Sequence, residues 1–210
     1  MYQKLANGNS NEELLSEQAI NTAPMAWFGK LIVVRAVNAR TQGDESVFSF
    51  DSKQTTPLLN GAFNELVAQV SPDGKWIAYA SNETGANEIY VRPFPSGEGQ
   101  RQLSASGGYA PRWRKDGKEL FFLAGNRFKM ASVKINASGS VFNYEPPIEL
   151  FDTGYINFSH SGGTFLPYAV SPDGQKFLIP RPERPDAAGA GDAATTPITV
   201  IVNWAATVKR

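Results

Sequence analysis

The tetrapeptide Ser71-Pro72-Asp73-Gly74 recurs as Ser171-Pro172-Asp173-Gly174, and each copy soon opens onto an apolar run, Trp76-Ile77-Ala78-Tyr79 and Phe177-Leu178-Ile179. A looser copy, Arg114-Lys115-Asp116-Gly117, precedes Leu120-Phe121-Phe122-Leu123. A decayed, shortened one is Trp27-Phe28-Gly29-Lys30-Leu31-Ile32-Val33. Pro presets φ for the second position of a type I turn, Asp suits the third, and Gly takes the left-handed position that closes a bulged hairpin. Each motif therefore joins two antiparallel strands. The strand after the turn is apolar on both alternations, whereas a strand with one wet face would alternate. Such strands are expected to lie between packed sheets.

A second repeated unit lies between the turns. Glu88-Ile89-Tyr90-Val91-Arg92-Pro93 is followed by Arg101-Gln102-Leu103-Ser104, Ser46-Val47-Phe48-Ser49-Phe50 by Thr56-Pro57-Leu58-Leu59, and Met1-Tyr2-Gln3-Lys4 by Glu12-Glu13-Leu14-Leu15-Ser16. Tyr2 to Phe48 is 46 residues, Phe48 to Tyr90 is 42, and Asp73 to Asp116 is 43. A period of this size with four strand-like segments is that of a β-propeller blade. The chain is therefore expected to be all-β: a propeller segment of about four antiparallel four-stranded blades, three whole and two partial, forming a single unit over 1–210. Residues 1–16 supply the outer pair of one blade, 22–60, 64–104 and 108–152 three whole blades, and 164–210 a final one. Thr153–Thr164 reads as a Gly/Ser-rich loop and 181–197 as a mobile insertion. The ends could pair to close a four-bladed ring, with Met1–Leu15 in one sheet with Phe177–Pro180. An open arc is favoured, because the N-terminal outer strands would compete with Ile198–Trp204 for one edge.

Composition excludes several functions. Lys plus Arg and Asp plus Glu are 20 each, so the net charge is zero and nothing marks a nucleic-acid binder. Cysteine is absent, which removes disulfides, thiolate catalysis and Cys-based zinc sites. The longest aliphatic run, Leu31-Ile32-Val33-Val34, is far too short to span a bilayer, and Met1–Ser10 has no apolar signal-peptide core.

The catalytic candidates each have a simpler reading. His160 is the single histidine and lacks both a nucleophile elbow and an acid partner, so it reads as a surface-loop residue. One histidine also excludes a multi-histidine metal site. No kinase signature is present. Asp73, Asp116 and Asp173 occupy equivalent turns and read as turn residues, not as calcium ligands or catalytic acids. Arg112, Arg114 and Lys115, with Arg181 and Arg184, could suggest an anion patch, but the neutral charge argues against a phosphate binder, and Trp113 reads as packing between blades. Asn82, Glu83, Asn87 and Glu88 form a polar hairpin that could serve as a partner-facing rim. No catalytic, cofactor or metal residue is assigned.

These residues resemble a known family. The Ser-Pro-Asp-Gly turns and the Ile89-Tyr90-Val91-Arg92-Pro93 strand look like TolB-type propeller repeats, related to the WD type but without its Gly-His and Trp-Asp signatures. Ser71–Gly108, Pro111–Gly117 and Pro197–Trp204 look closer still to the C-terminal sensor-like propeller of bacterial, acidobacterial-type serine/threonine kinases. The resemblance implies a non-enzymatic binding or sensor-scaffold module for a protein or peptide partner, in a periplasmic or extracytoplasmic setting. No cofactor and, from the neutral charge, no nucleic-acid partner are expected; if the arc is open, self-association is expected. The alternative is an accessory propeller gating a prolyl-oligopeptidase-type hydrolase whose catalytic domain is outside this chain.

Overall fold

The structure is a computed structural model. It describes residues 1–6, 11–17, 22–36, 43–59, 61–95, 98–125, 129–153, 168–179 and, for the backbone alone, 180 and 198–202. All its regular elements are strands. The leading pair, β1 (Tyr2–Gln3) and β2 (Glu13–Leu14), is a sheet by itself. A first blade follows in simple order: β3 (Thr22–Phe28), β4 (Leu31–Ala36), β5 (Asp44–Ser49) and β6 (Thr55–Leu59). The second blade is β7 (Glu65–Val70), β8 (Trp76–Ser81), β9 (Glu88–Pro93) and β10 (Arg101–Gln102). The third contains β11 (Gly108–Trp113), β12 (Glu119–Ala124), β13 (Lys129–Ser138), β14 (Val141–Tyr144) and β15 (Ile148–Asp152). The last sheet is β16 (Ala169–Val170), β17 (Lys176–Pro180) and β18 (Ile198–Val202). Every pairing is antiparallel. This is a partial β-propeller.

The turn motif forms as its chemistry dictates. Gly74 donates its N–H to Ser71 O at 2.9 Å, and Gly117 and Gly174 do the same to Arg114 O and Ser171 O. All three glycines have φ between +71° and +73°, the left-handed region that L side chains resist. Each glycine also packs on the preceding blade: Gly74 faces Phe28, Gly117 faces Pro72, and Gly174 faces Arg114 and Phe121.

Blades pack face to face through apolar side chains. In β4, Ile32 and Val34 join Leu15 of the leading pair, while Val33 joins Ala68, Ile77 and Tyr79 of the second blade. The alternation of one strand thus serves two interfaces. A larger core runs from Trp76, Ala78 and Ala80 through β12 and β13 to Phe177 and Ile179. All of β8 is buried, as expected for a strand between sheets. β17 differs from that expectation: Phe177 and Ile179 are buried but Leu178 is 41% exposed. Among the described residues, packed side chains cover the face of this strand that carries Phe177 and Ile179.

The third blade carries a strand the repeat does not predict. β13 runs for ten residues, pairing with β15 over its first part and with β14 over its last. The overhang is useful because it seats Phe142, whose ring lies 4.8 Å from Trp76 and 6.5 Å from Trp113. Among the described residues, no strand pairing links the leading pair to β16, β17 or β18, so the pairing that a closed four-bladed ring requires is not formed there.

Candidate binding face

The strand directions divide each blade into two ends. β7 runs from Glu65 toward the Ser71–Gly74 turn, so the register Glu65↔Ser81↔Glu88 marks the opposite end, where the connections between blades also lie. Ala36↔Asp44 marks the same end of the first blade. We call these the turn end and the loop end.

At the turn end the three aspartates are occupied by their own turns. Asp73 Oδ1 accepts from the Ser71 hydroxyl at 2.6 Å and from Lys75 N at 3.1 Å. Asp116 accepts from the Arg114 guanidinium at 2.8 and 2.9 Å and from Lys118 N at 3.0 Å. Arg114 holds the Asp116 carboxyl below the usual carboxylate range. Asp173 accepts from the Ser171 hydroxyl and Gln175 N, and the hydroxyl bond leads in lowering it. Asp73 and Asp116 do line one cleft of about 360 Å3, with Trp76 and Trp113. Among the described residues no group of three or more His, Asp or Glu has the arrangement of a metal site.

Arg112 and Arg114 are likewise engaged, whereas Lys115 is exposed. Arg114 also donates to Glu119 at 2.7 Å. The Arg112 guanidinium lies 6.0 Å from the Tyr168 ring centre, and burial lowers its pKa. Trp113 donates its indole N–H to Gln69 O at 3.0 Å, across from the third blade to the second. His160, Arg181 and Arg184 lie outside the described residues.

The loop end has a different character. The hairpin between β8 and β9 is held by one side-chain and one backbone bond: Asn82 Oδ1 accepts from Asn64 N at 2.9 Å, and Gly85 N donates to Asn82 O at 2.9 Å. Gln100 donates to Glu83 at 2.5 Å while accepting from the Tyr79 hydroxyl at 2.9 Å. The exposed tip is Asn82, Thr84, Gly85 and Ala86. Glu88 does not join this rim. It is buried, accepting from the Ser104 hydroxyl and from Gly107 N at 2.8 Å, and so ties β9 to the connection between β10 and β11.

Two further acids sit inside this end, at the seam between the first and second blades. Glu45 pairs in register with Arg35 and is completely buried, with neither carboxylate oxygen hydrogen-bonded to a described residue. Burial pushes its pKa up to about 8, against the pull of Arg35. Glu65 is also buried; burial first, then Asp44, pushes its carboxyl up to about 7. Neither is among the candidate residues that the sequence motifs mark. A signal existed: by strand alternation Arg35 shares a face with Val33, and Glu45 with Val47, where apolar residues belong.

The sequence matches no family model and no curated protein. Solved structures do share the fold. TolB from Acinetobacter baumannii superposes with a TM-score of 0.63 at 17% identity, over 97% of this chain and 46% of that one. An Agrobacterium tumefaciens protein assigned as a TolB superposes with a TM-score of 0.54 at 21% identity, over 70% of this chain and 55% of that one. The likeness establishes a TolB-like β-propeller fold. The chain spans about half the length of these TolB structures.

Proposed function

We propose that the chain is a non-enzymatic propeller module that presents its loop end to a protein or peptide partner. One observation carries this reading: the Asn82–Asn87 hairpin projects an uncharged, exposed tip that is pre-organised by the Asn64–Asn82 and Tyr79–Gln100–Glu83 bonds. Loops on a rigid scaffold are the usual place for recognition, and ordering them beforehand lowers the entropic cost of binding. The turn-end carboxylates, by contrast, are committed to their turns. The TolB-like fold fits an extracytoplasmic scaffold, and the sequence resemblance to kinase-associated propellers suggests a sensor role within a larger protein.

The test is selection of peptides from a random display library on the whole chain. Selected peptides should lose affinity at least tenfold for Thr84→Arg or Ala86→Arg, at the hairpin tip, and keep it for Lys118→Ala, at the turn end. Binding indifferent to the tip variants would overturn the assignment of this face. Ester or peptide hydrolysis by the purified chain, abolished in His160→Ala, would overturn the non-enzymatic reading.

A further inference from the structure

We propose that Glu45 and Glu65 make the seam between the first two blades a proton-dependent joint, closed when the carboxyls are protonated and loosened when both ionise. The inference stands independently of any partner at the loop end.

The geometry places two acids where the fold can least hold charge. Val33 and Val47, which flank Arg35 and Glu45 on the same strand faces, pack at this seam with Ala68, Ile77 and Tyr79. Its two oxygens receive no hydrogen bond from the described residues, so an ionised Glu45 would be a buried anion without donors among them, a costly group for a core to hold. Protonation removes that cost. Glu65 belongs to the facing strand β7, and one of its carboxylate oxygens, Oε2, is also buried without a hydrogen bond. The backbone is joined at the same place, because Glu65 N donates to Gly43 O at 3.3 Å, directly linking the two blades.

The charges facing the pair come from each neighbouring element. Asp44 of β5 and Glu83 of the β8–β9 hairpin add negative charge, and Glu45 and Glu65 repel one another. Arg35 of β4 opposes them, and Arg92 of β9 spans the same seam, donating to Leu58 O at 3.2 Å. Tyr79 of β8 also interacts with Glu65 and stays neutral, its hydroxyl pushed upward by burial. Burial outweighs Arg35, since it is the largest influence on both carboxyls and both move up from 4.5, to about 8 and about 7. A carboxyl raised in the folded state stabilises the fold fully below its unfolded value. That contribution disappears as pH rises through the folded value. The joint therefore weakens between about pH 4.5 and about pH 8, with up to about a tenfold loss in the folding equilibrium per pH unit for each ionising group. This is opposite in sign to a surface carboxylate held by a salt bridge.

The experiment is denaturant unfolding of the whole chain across this range, for the natural protein, Glu45→Gln, Glu65→Gln and the double variant. The natural protein should lose stability steadily toward high pH, each single variant should lose less, and the double variant should be nearly flat. Hydrogen exchange at the Glu65 amide, which bridges the blades, should accelerate with pH beyond the intrinsic chemical rate, and more than at Ile77 in the adjoining core. Should Glu45→Gln fail to fold, Glu65→Gln with the infrared carboxylic-acid band of the natural protein decides the matter. A band that persists above about pH 6 and shrinks in Glu65→Gln supports the joint. Stability independent of pH, an unchanged slope in Glu65→Gln, or no carboxylic-acid band would overturn it.

Discussion

Gly74 and Gly117 occupy the same turn position with almost the same φ, +71° and +72°, yet a methyl group would meet different surroundings. At Gly117 the nearest atom is Pro72 Cδ at 3.7 Å, ordinary contact. At Gly74 a Cβ would fall 2.1 Å from the Phe28 ring, which would have to swing away. Gly117→Ala should therefore cost only the left-handed backbone penalty, about 1 kcal/mol. Gly74→Ala should cost about 2–3 kcal/mol, because backbone strain and a displaced ring add. Urea unfolding of the two variants measures the difference; equal losses would mean that the turns do not lean on the preceding blade. The local role of these residues can be read from the motif, because turn hydrogen bonds span three residues. The Phe28 contact cannot, because it joins positions a whole blade apart.

At the scale of the element, a single carboxylate closes the second blade. Glu88 at the start of β9 accepts from Ser104 and Gly107, while Ser104 Oγ accepts from Ile89 N at 2.8 Å. This knot covers the step from β10 to β11, followed at once by Gly108 N donating to Asn87 O at 2.7 Å. Glu88→Ala should destabilise by about 2–4 kcal/mol, since it leaves buried donors without an acceptor. Amides between Ser104 and Gly108 should exchange faster than those of β8, whereas an effect spread evenly over the chain would contradict a local knot. The inner strands show a second repeated device. β7 and β11 each have a register shift, between Leu66 and Gln69 and between Tyr109 and Arg112, with Val67 and Ala110 at positive φ. A bulge that re-aims an inner strand is a common feature of twisted sheets, but no glycine marks it here.

At the scale of the whole molecule, several large apolar side chains are exposed. Trp27, in the first blade, is 67% exposed and Leu178, in the last sheet, 41%; Tyr2 and Leu5, also exposed, line the same cleft as Trp27. The leading pair and β3 enclose an open cleft of about 760 Å3. Burying one such side chain stabilises by about 1.5–3 kcal/mol, and a zero net charge offers no repulsion between copies. The chain by itself should therefore associate as concentration rises, visible by sedimentation velocity, and Trp27→Ser with Leu178→Ser should shift it toward monomer. A monomer at every concentration would mean that these faces are tolerated in water.

The sequence by itself determined the repeated hairpin, its turn type, the four-strand period and hence the propeller fold, because each rests on local chemistry repeated along the chain. It also placed Asp73, Asp116 and Asp173 in turns, since Asp and Gly there have a purely local use. The tertiary structure alone decided what the other polar residues do. Glu88, read as part of an outward rim, is turned inward because Ser104 and Gly107 from the next connection supply its donors. Alternation puts Glu45 on the face of Val47, but nothing local pairs it with Glu65; only the stacking of one blade on the next buries them together. β14 likewise exists because β13 runs past its partner and leaves an edge and an apolar hollow beside Trp76. Local pattern dictates the hairpins, but burial is a property of the stack, and the loop-end chemistry depends on burial.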